Sequence, residues 1–263
     1  MKRAAVLLAL VSVLFSCASM HRTSSRGTDG YDVYLLIGQS NMAGRGYMAA
    51  ADTLKPLDGV WLLGPEDKPV PARNPLNQYS TIRKGIEMQQ IGPGLGFSQA
   101  LLEHDGRKIL LVVNARGGSK LDEWVEGTRF YAEAVRRCRE AMKYGTLKGI
   151  IWHQGCSDSS DELRETYLDR LAPMVKALRR DIGVGDAVPF IAGELPYWRP
   201  SSAAFNRMLK SLPEVIPNSG LVSAGGCGMR GEPSDPHFDR DGQLVLGRRY
   251  AEKLLEMSSP SAH

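Results

Sequence analysis

Short apolar runs alternate along the chain with segments of helical periodicity. The apolar runs predict strands at residues 31–38, 60–63, 108–114, 149–153, 189–195 and 220–224. Several of them are apolar at consecutive positions, as expected of parallel strands that are buried on both faces. Apolar positions with a spacing of about 3.6 residues predict helices near 94–104, 129–143, 161–181, 203–212 and 240–257. This alternation predicts an α/β fold, in which a mainly parallel sheet lies between two layers of helices.

Two segments interrupt the pattern. Residues 64–93 are rich in Pro, Gly, Asn and Gln and lack periodicity, which predicts a long loop of the kind that often has a function. Pro173 falls inside the helical pattern of residues 161–181 and is expected to kink that helix. No internal repeat is visible, so residues 31–258 are predicted to form a single domain.

The N-terminus has the features of a targeting signal. A basic start, Met1-Lys2-Arg3, precedes a 12-residue apolar run at 4–15, which is too short to span a bilayer as a helix. The run ends in LFSC, which is similar to a bacterial lipobox, so residues 1–16 are predicted to be a lipoprotein signal peptide and Cys17 the lipidated residue. An ordinary secretory signal cut elsewhere is the alternative. Residues 17–30 are polar and aperiodic, which predicts a flexible tether. The expected product is an exported bacterial lipoprotein of the cell envelope, which contacts the membrane through its lipid alone.

Composition narrows the classes of function. With 33 basic and 29 acidic residues and 43% hydrophobic residues, the chain has the balance of a globular protein rather than of a disordered or collagen-like one. No Lys/Arg run interleaved with aromatic residues is present, so nucleic acid is not an expected partner. An obligate protein partner is not expected either. Two cysteines in predicted loops, Cys156 and Cys227, are candidates for a disulfide if the compartment is oxidising.

Candidate chemistry follows the strands. In a parallel sheet, ligands bind outside the carboxyl ends of the strands, so the residues directly after each strand matter most. A serine on a Gly-flanked turn, a late histidine and a nearby acid are the parts of an activated nucleophile. Backbone N–H groups of a Gly pair and a side-chain amide are suited to binding an oxyanion. The residues in question are Ser40, Gly117, Gly118, Gln154, Asp235 and His237.

The same segments carry a family resemblance. GQSNMAG at 38–44, ARGGS at 115–119 with a following DEW, WHQGCSDS at 152–159 and HFDRDGQLVLGRRYAE at 237–252 together resemble the carbohydrate-esterase branch of the SGNH hydrolases. That branch includes sialate O-acetylesterase-like and family 6 acetylxylan esterase proteins, and the resemblance covers residues 31–257. It implies a three-layer α/β/α, flavodoxin-like fold with a five- or six-stranded sheet. It also implies a serine esterase that uses no metal and no cofactor.

Residue by residue, the resemblance implies that Ser40 is the nucleophile and that His237 is the general base, which later protonates the leaving sugar hydroxyl. It implies an oxyanion hole made of the Ser40 N–H, a glycine N–H at Gly118 (or Gly117) and the Gln154 side chain. The family's acid usually stands three residues before the histidine, where this chain has Ser234. Asp235, two residues before His237, is our choice of acid. A Ser–His dyad oriented by a backbone carbonyl and an acid from elsewhere, such as Glu194, remain alternatives.

The function implied is the removal of acetyl groups from a carbohydrate through an acetyl-serine intermediate. Acetylated xylan or another plant polysaccharide and O-acetylated sialic acid are the candidate substrates. Trp124 and Trp198 follow predicted strand ends and are expected to stack on a sugar ring. A non-catalytic glycan-binding lipoprotein that has kept the fold is the rival interpretation. The acidic residues have no spacing typical of calcium or zinc sites, so no metal is expected.

Overall fold

The computed structural model describes residues 30–259, and its centre is a seven-stranded sheet. The strands are β1 (Tyr31–Gly38), β2 (Val60–Leu63), β3 (Pro69–Pro71), β4 (Ile109–Ala115), β5 (Gly145–His153), β6 (Phe190–Gly193) and β7 (Ser219–Val222). They lie in the order β3-β2-β4-β1-β5-β6-β7, and all neighbours are parallel except β2 and β3. The six predicted strands and the mainly parallel sheet are confirmed.

The seventh strand is the one that the sequence pattern missed. Pro69–Pro71 pairs antiparallel with β2 inside the segment predicted to be loop. Proline cannot donate a ladder hydrogen bond, which confines such a segment to the edge of a sheet, and β3 is an edge strand. A three-residue strand flanked by prolines has no apolar alternation by which a pattern could reveal it.

Nine α-helices connect the strands in the described part of the chain. They are α1 (Ser40–Ala43), α2 (Ala51–Leu54), α3 (Gly94–Asp105), α4 (Arg129–Met142), α5 (Asp161–Glu165), α6 (Tyr167–Ile182), α7 (Pro200–Leu209), α8 (Leu212–Val215) and α9 (Arg240–Ser258). The predicted helix at 161–181 is two helices, which meet at Thr166. Helix α6 runs past Pro173, so the break expected at that proline lies seven residues earlier.

The sheet separates two hydrophobic cores. Successive residues of β1 point to opposite faces, so that Val33 and Leu35 enter one core while Tyr34 and Leu36 enter the other. Helices α4, α6, α7 and α8 cover the first face, and α3 and α9 cover the second. Because β1 is buried on both sides, the apolar run from Val33 to Ile37 is what a central parallel strand requires.

Several N-terminal predictions lie outside the described residues. These are the signal peptide, the lipidation of Cys17 and nearly all of the tether at 17–30. Within residues 30–259, none of the helices combines the length and the apolar character that crossing a bilayer requires.

Candidate active site

Ser40 lies at the carboxyl end of the central strand β1, on a turn that only glycine permits. Gly38 adopts φ +138°, and a Cβ at that position would overlap the backbone of His153 on neighbouring β5. The chain can therefore pass close to β5 and turn at once into the short helix α1, whose first residue is Ser40. The side chain of Gln39 fastens this turn, because its Oε1 accepts a hydrogen bond from the Gly155 N–H at 2.9 Å.

The structure brings the three predicted catalytic residues together. Ser40 Oγ lies 2.9 Å from Nε2 of His237, although 197 residues separate the two in the chain. Nδ1 of His237 lies against Oδ1 of Asp235. Glu194, the alternative acid, is engaged elsewhere: its Oε2 accepts hydrogen bonds from the Tyr197 hydroxyl and from the Ala224 N–H. The carboxylate that faces His237 is therefore that of Asp235.

Three side chains hold the segment Asp235-Pro236-His237 in place. The Arg230 guanidinium donates from Nε and Nη2 to Oδ2 of Asp235, at 2.9 and 2.7 Å. The Trp198 indole donates to the Asp235 carbonyl at 2.8 Å, and the Asn41 amide donates to the Pro236 carbonyl at 2.9 Å. These contacts explain how an acid only two residues before the histidine reaches the imidazole. Arg230 binds Oδ2 of Asp235, which leaves Oδ1 facing His237.

The charges around the histidine set its protonation state. Burial lowers the pKa of His237 to about 4, and the positive charges of Arg230 and Arg45 act in the same direction, while Asp235 opposes them. Burial alone would raise the pKa of Asp235, but Arg230 and His237 outweigh it, so the pKa lies below the ordinary value. At neutral pH the imidazole is uncharged and the carboxylate is ionised.

Ser40 and Gly118, which carry two of the three predicted oxyanion donors, lie at the cavity that contains His237. Within residues 30–259, the backbone N–H groups of Ser40 and Gly118 make no hydrogen bond to protein atoms. Gly118 adopts φ +78°, a conformation that favours glycine. Gly117 and Gly118 both line the cavity that contains Ser40 and His237.

The prediction for Gln154 is wrong. Its side chain is buried, and its Nε2 donates to the Ser119 carbonyl at 3.0 Å and to Oδ2 of Asp158 at 2.6 Å. Its Oε1 accepts from the Tyr167 hydroxyl at 2.8 Å. Since both amide hydrogens are engaged and Gln154 is not among the residues that line the cavity, it has no donor to offer there. The sequence shows a polar residue directly after β5, but it does not show which groups that residue hydrogen-bonds.

The two tryptophans also take structural positions. Trp124 is only 1% exposed and packs edge-on against Trp152, so the prediction that it stacks on a sugar is wrong. Trp198 is half-buried, supports Asp235 as described, and packs edge-on against Phe238. It is likewise not among the residues that line the cavity. The sequence correctly predicts that both tryptophans follow strand ends, but their rings pack against the hydrophobic cores.

Cys156 and Cys227 do not form a disulfide; both are free, as is the buried Cys138. Cys156 lines the cavity, where burial raises the pKa of its thiol to about 11. It is therefore a protonated wall residue at neutral pH rather than a nucleophile.

The cavity beside Ser40 measures about 350 Å³, at the lower end of the range typical of small-molecule sites. Three cationic residues line it: Arg45, Lys84 and Arg199. Among the described residues, none of the three has a carboxylate within ion-pair distance. Sequence reasoning missed all three, together with Arg230. Of the four, Arg45 could have been noticed in the sequence, because it is a charged residue directly after the small and apolar MAG of the GQSNMAG segment.

Within residues 30–259, no group of three or more His, Cys, Asp or Glu side chains is arranged to hold a metal ion. The groups that meet at the site are a hydroxyl, an imidazole, a carboxylate and cationic side chains. Such a set is suited to nucleophilic attack on an acyl group.

Comparison with known families agrees with this geometry. The family model described as carbohydrate esterase, sialic acid-specific acetylesterase, matches residues 30–256. The chain belongs to this family. It is therefore a carboxylic ester hydrolase of the SGNH carbohydrate-esterase type, as the sequence motifs predicted. The family resemblance and the fold class are both confirmed.

Individual relatives of this esterase cover nearly all of its described residues. A probable carbohydrate esterase of Arabidopsis thaliana is 27% identical over 241 residues, which are 85% of this chain and 90% of the relative. The crystal structure of the Arabidopsis protein superposes with a TM-score of 0.76 at 25% identity, over 86% of this chain and 98% of the other. NanS superposes with a TM-score of 0.68 at 19% identity, over 87% and 97% of the two chains. At that identity the likeness to NanS shows the shared fold.

Proposed function

We propose that this esterase removes O-acetyl groups from a carbohydrate through an acetyl-serine intermediate on Ser40. The observation that carries the proposal is the continuous line of contacts from Ser40 Oγ through the His237 imidazole to Asp235. The uncharged state of His237 supports it further, because only a neutral imidazole can accept a proton from the serine.

In the first half-reaction, Ser40 Oγ attacks the acetyl carbonyl and passes its proton to Nε2 of His237. Asp235 holds the other ring nitrogen in its protonated form and stabilises the imidazolium that results. The N–H groups of Ser40 and Gly118 face the carbonyl oxygen as it becomes negative. Collapse of the tetrahedral intermediate expels the sugar oxygen, which takes the proton from His237 and leaves acetyl-Ser40.

In the second half-reaction, water attacks the acetyl group while His237 accepts its proton. The new tetrahedral intermediate expels Ser40 Oγ, which recovers a proton from the imidazolium. Acetic acid leaves and releases its proton to the solvent as it ionises, and the site returns to its starting state. No other group is required to balance protons or charge.

Of the two candidate substrate classes, the cavity favours the acidic one. Lys84 is exposed and Arg199 half-buried at the cavity wall, and the Lys84 ammonium lies 3.5 Å from where a Cβ of Gly118 would stand. Cations without a protein counter-charge raise the local concentration of anions and orient them. An O-acetylated sialic acid carries a carboxylate, whereas the xylose backbone of xylan is neutral.

The deciding measurement for catalysis is hydrolysis of p-nitrophenyl acetate by the wild type and by Ser40→Ala and His237→Ala. Each variant is expected to lose about 10³-fold or more in kcat/KM. Ser223→Ala and His104→Ala, at exposed positions outside the cavity, are the matched controls and are expected to stay within about threefold of wild type. Wild-type turnover no faster than that of Ser40→Ala would refute the serine mechanism.

Substrate class is tested by comparing an O-acetylated sialic acid with an acetylated xylo-oligosaccharide. Lys84→Met and Arg199→Met are each expected to reduce kcat/KM for the acidic substrate by about tenfold, with little change for the neutral one. Lys148→Met, at the opposite end of β5, is the control for surface charge. An equal loss on both substrates would show that the two cations do not select for acidity.

We further propose that the protein is exported as a lipoprotein and anchored through Cys17. The basic start, the 12-residue apolar run and the LFSC segment support this proposal. In a bacterial host, radiolabelled palmitate is expected to label the wild type and not Cys17→Ala. Equal labelling of the two proteins would contradict anchoring at this cysteine.

A further inference from the structure

Arg45 is a buried cation that has no carboxylate within ion-pair distance among residues 30–259. It is 5% exposed, and among residues 30–259 its guanidinium makes one hydrogen bond, from Nη1 to the Gly44 carbonyl at 2.6 Å. Burial lowers the pKa of Arg45 to about 10, and nearby Arg230 acts in the same direction, while the charge of Asp235 opposes them. The group is still protonated at neutral pH. Removing a charge from water without pairing it costs several kcal/mol, so such an arrangement persists where the charge has a use.

The position of Arg45 points to that use. A Cβ at Gly117 would overlap Nη2 of Arg45 and would lie 3.7 Å from the Cβ of Ser40. Nη2 and Ser40 therefore flank the same face of Gly117, one residue before the Gly118 N–H. Arg45, Ser40 and Gly118 all line the same cavity. Nη2 of Arg45 thus lies beside Ser40 at the wall of this cavity.

The site also lacks a donor at this place. The Gln154 amide, expected to complete the oxyanion hole, donates instead to Ser119 and Asp158. The Ser40 and Gly118 N–H groups are then the two backbone donors that remain. A third donor near Gly117 would restore the set of three that the sequence motifs led us to expect.

We propose that Arg45 is a catalytic residue, whose guanidinium is the third donor of the oxyanion hole and binds the charge that develops on the acyl oxygen. The inference rests on the proposed serine mechanism. Arg45 exchanges no proton: the carbonyl π electrons move to oxygen as the Ser40–carbon bond forms, and they return when the leaving oxygen departs. A fixed positive charge stabilises that oxygen more than a neutral amide does.

Two other roles for Arg45 make different predictions. An anchor for a substrate carboxylate would matter only for acidic substrates. A residue that acts only by lowering the pKa of His237 would matter only at low pH, where the imidazole begins to be protonated. A neutral ester assayed at pH 8–9 excludes both effects, and p-nitrophenyl acetate is such an ester.

The experiment compares Arg45→Met and Arg45→Lys with wild type on p-nitrophenyl acetate at pH 8–9. Arg45→Met is expected to lower kcat by about 10²–10³-fold with KM nearly unchanged, the usual effect of removing one oxyanion donor. Arg45→Lys keeps the charge and is expected to recover part of the loss. Arg73→Met is the matched control, because the Arg73 guanidinium also bonds a backbone carbonyl but lies outside the cavity.

A second readout does not depend on turnover. A neutral alkylboronic acid forms a tetrahedral, negatively charged adduct with an active serine, so its affinity reports oxyanion binding. Arg45→Met, or Arg45→Lys if the methionine variant does not fold, is expected to lose boronate affinity along with kcat. A kcat at pH 8–9 within threefold of wild type would overturn the proposal, as would lost kcat with boronate affinity intact. Failure of the serine mechanism itself would be seen separately, as wild-type activity equal to that of Ser40→Ala.

Discussion

Polar residues follow both β1 and β5 at the same edge of the sheet, yet the two groups do different things. After β1, Ser40 reaches His237, and Arg45 has an unengaged edge at the cavity. After β5, Gln154 and Asp158 are buried and hydrogen-bonded to each other and to their neighbours. A polar residue at a strand end therefore indicates the region in which a site lies. Its role depends on whether its donors and acceptors are already engaged within the protein.

The largest effect is expected on the β1 side of the comparison, at the acid that faces His237. Asp235→Asn keeps the shape of the side chain but removes the charge that stabilises the imidazolium, so kcat is expected to fall by about 10³–10⁴-fold at pH 7. Steady-state kinetics on p-nitrophenyl acetate measures this loss. Asp241→Asn, an exposed position on α9, is the control. A loss below tenfold would mean that His237 works as a dyad with Ser40.

On the β5 side, the expected effect is on stability. Asp158 accepts hydrogen bonds from the Gln154 amide and from the Leu121 N–H, so Asp158→Ala leaves two buried donors without an acceptor. The free energy of unfolding is expected to fall by about 2–4 kcal/mol, while kcat of the folded enzyme changes less than about tenfold. Urea denaturation measures the first quantity.

Asp169→Ala, at an exposed position on α6, is the control for this change. If Asp158→Ala abolished kcat without changing the unfolding midpoint, the hydrogen bonds of Gln154 and Asp158 would serve catalysis. The distinction between the residues after β1 and those after β5 would then be wrong.

The smallest effect is expected at Arg230, which acts on the site through Asp235. In the wild type, kcat/KM is expected to rise with pH through about 4, as His237 loses its proton, and to be flat above about pH 6. Arg230→Gln removes a positive charge that lowers the pKa of His237, so the acid limb should move to higher pH. A loss of up to about tenfold on the plateau is expected from the looser hold on Asp235.

The matched control is Arg107→Gln, which breaks an ion pair that also uses Nε and Nη2 of the arginine, here with both carboxylate oxygens of Asp32 at the opposite end of β1. It should change neither the acid limb nor the plateau. Should both variants give the wild-type pH profile, Arg230 would hold the loop without influencing the histidine.

Much of the fold was predictable because buried strands and helices have characteristic patterns of apolar residues. Several of the six parallel strands are apolar at consecutive positions, since helices cover both of their faces. The exceptions are local: β3 is too short and proline-rich to show a pattern, and the helix expected at 161–181 divides at Thr166. Neither exception changes how the site is positioned.

The candidate site was predictable only in part, because the local sequence shows where a residue lies along the chain but not which way its side chain points. Ser40, Asp235 and His237 stand in short segments of unusual composition directly beside strand and helix ends. Gln154 and Trp124 stand in equally suggestive segments, but their side chains turn into the protein. Whether a side chain faces a cavity or the core depends on contacts between residues far apart in the chain, such as Gln154 with Ser119.

The amino-acid sequence alone was enough to predict the α/β architecture, the esterase family, and Ser40 and His237 as reacting residues, but it left the acid open between Asp235, Glu194 and a dyad without one. These follow from hydrophobic periodicity and from motifs whose residues are close in the chain. The folded arrangement was needed to show that Asp235 faces His237 and is held by Arg230, that the Gln154 amide is engaged in the interior, and that Arg45 is buried with no carboxylate in ion-pair distance among the described residues. The physical reason is that hydrogen-bond satisfaction and desolvation are properties of the packed molecule, because they depend on which groups long-range folding brings within about 3 Å of each other.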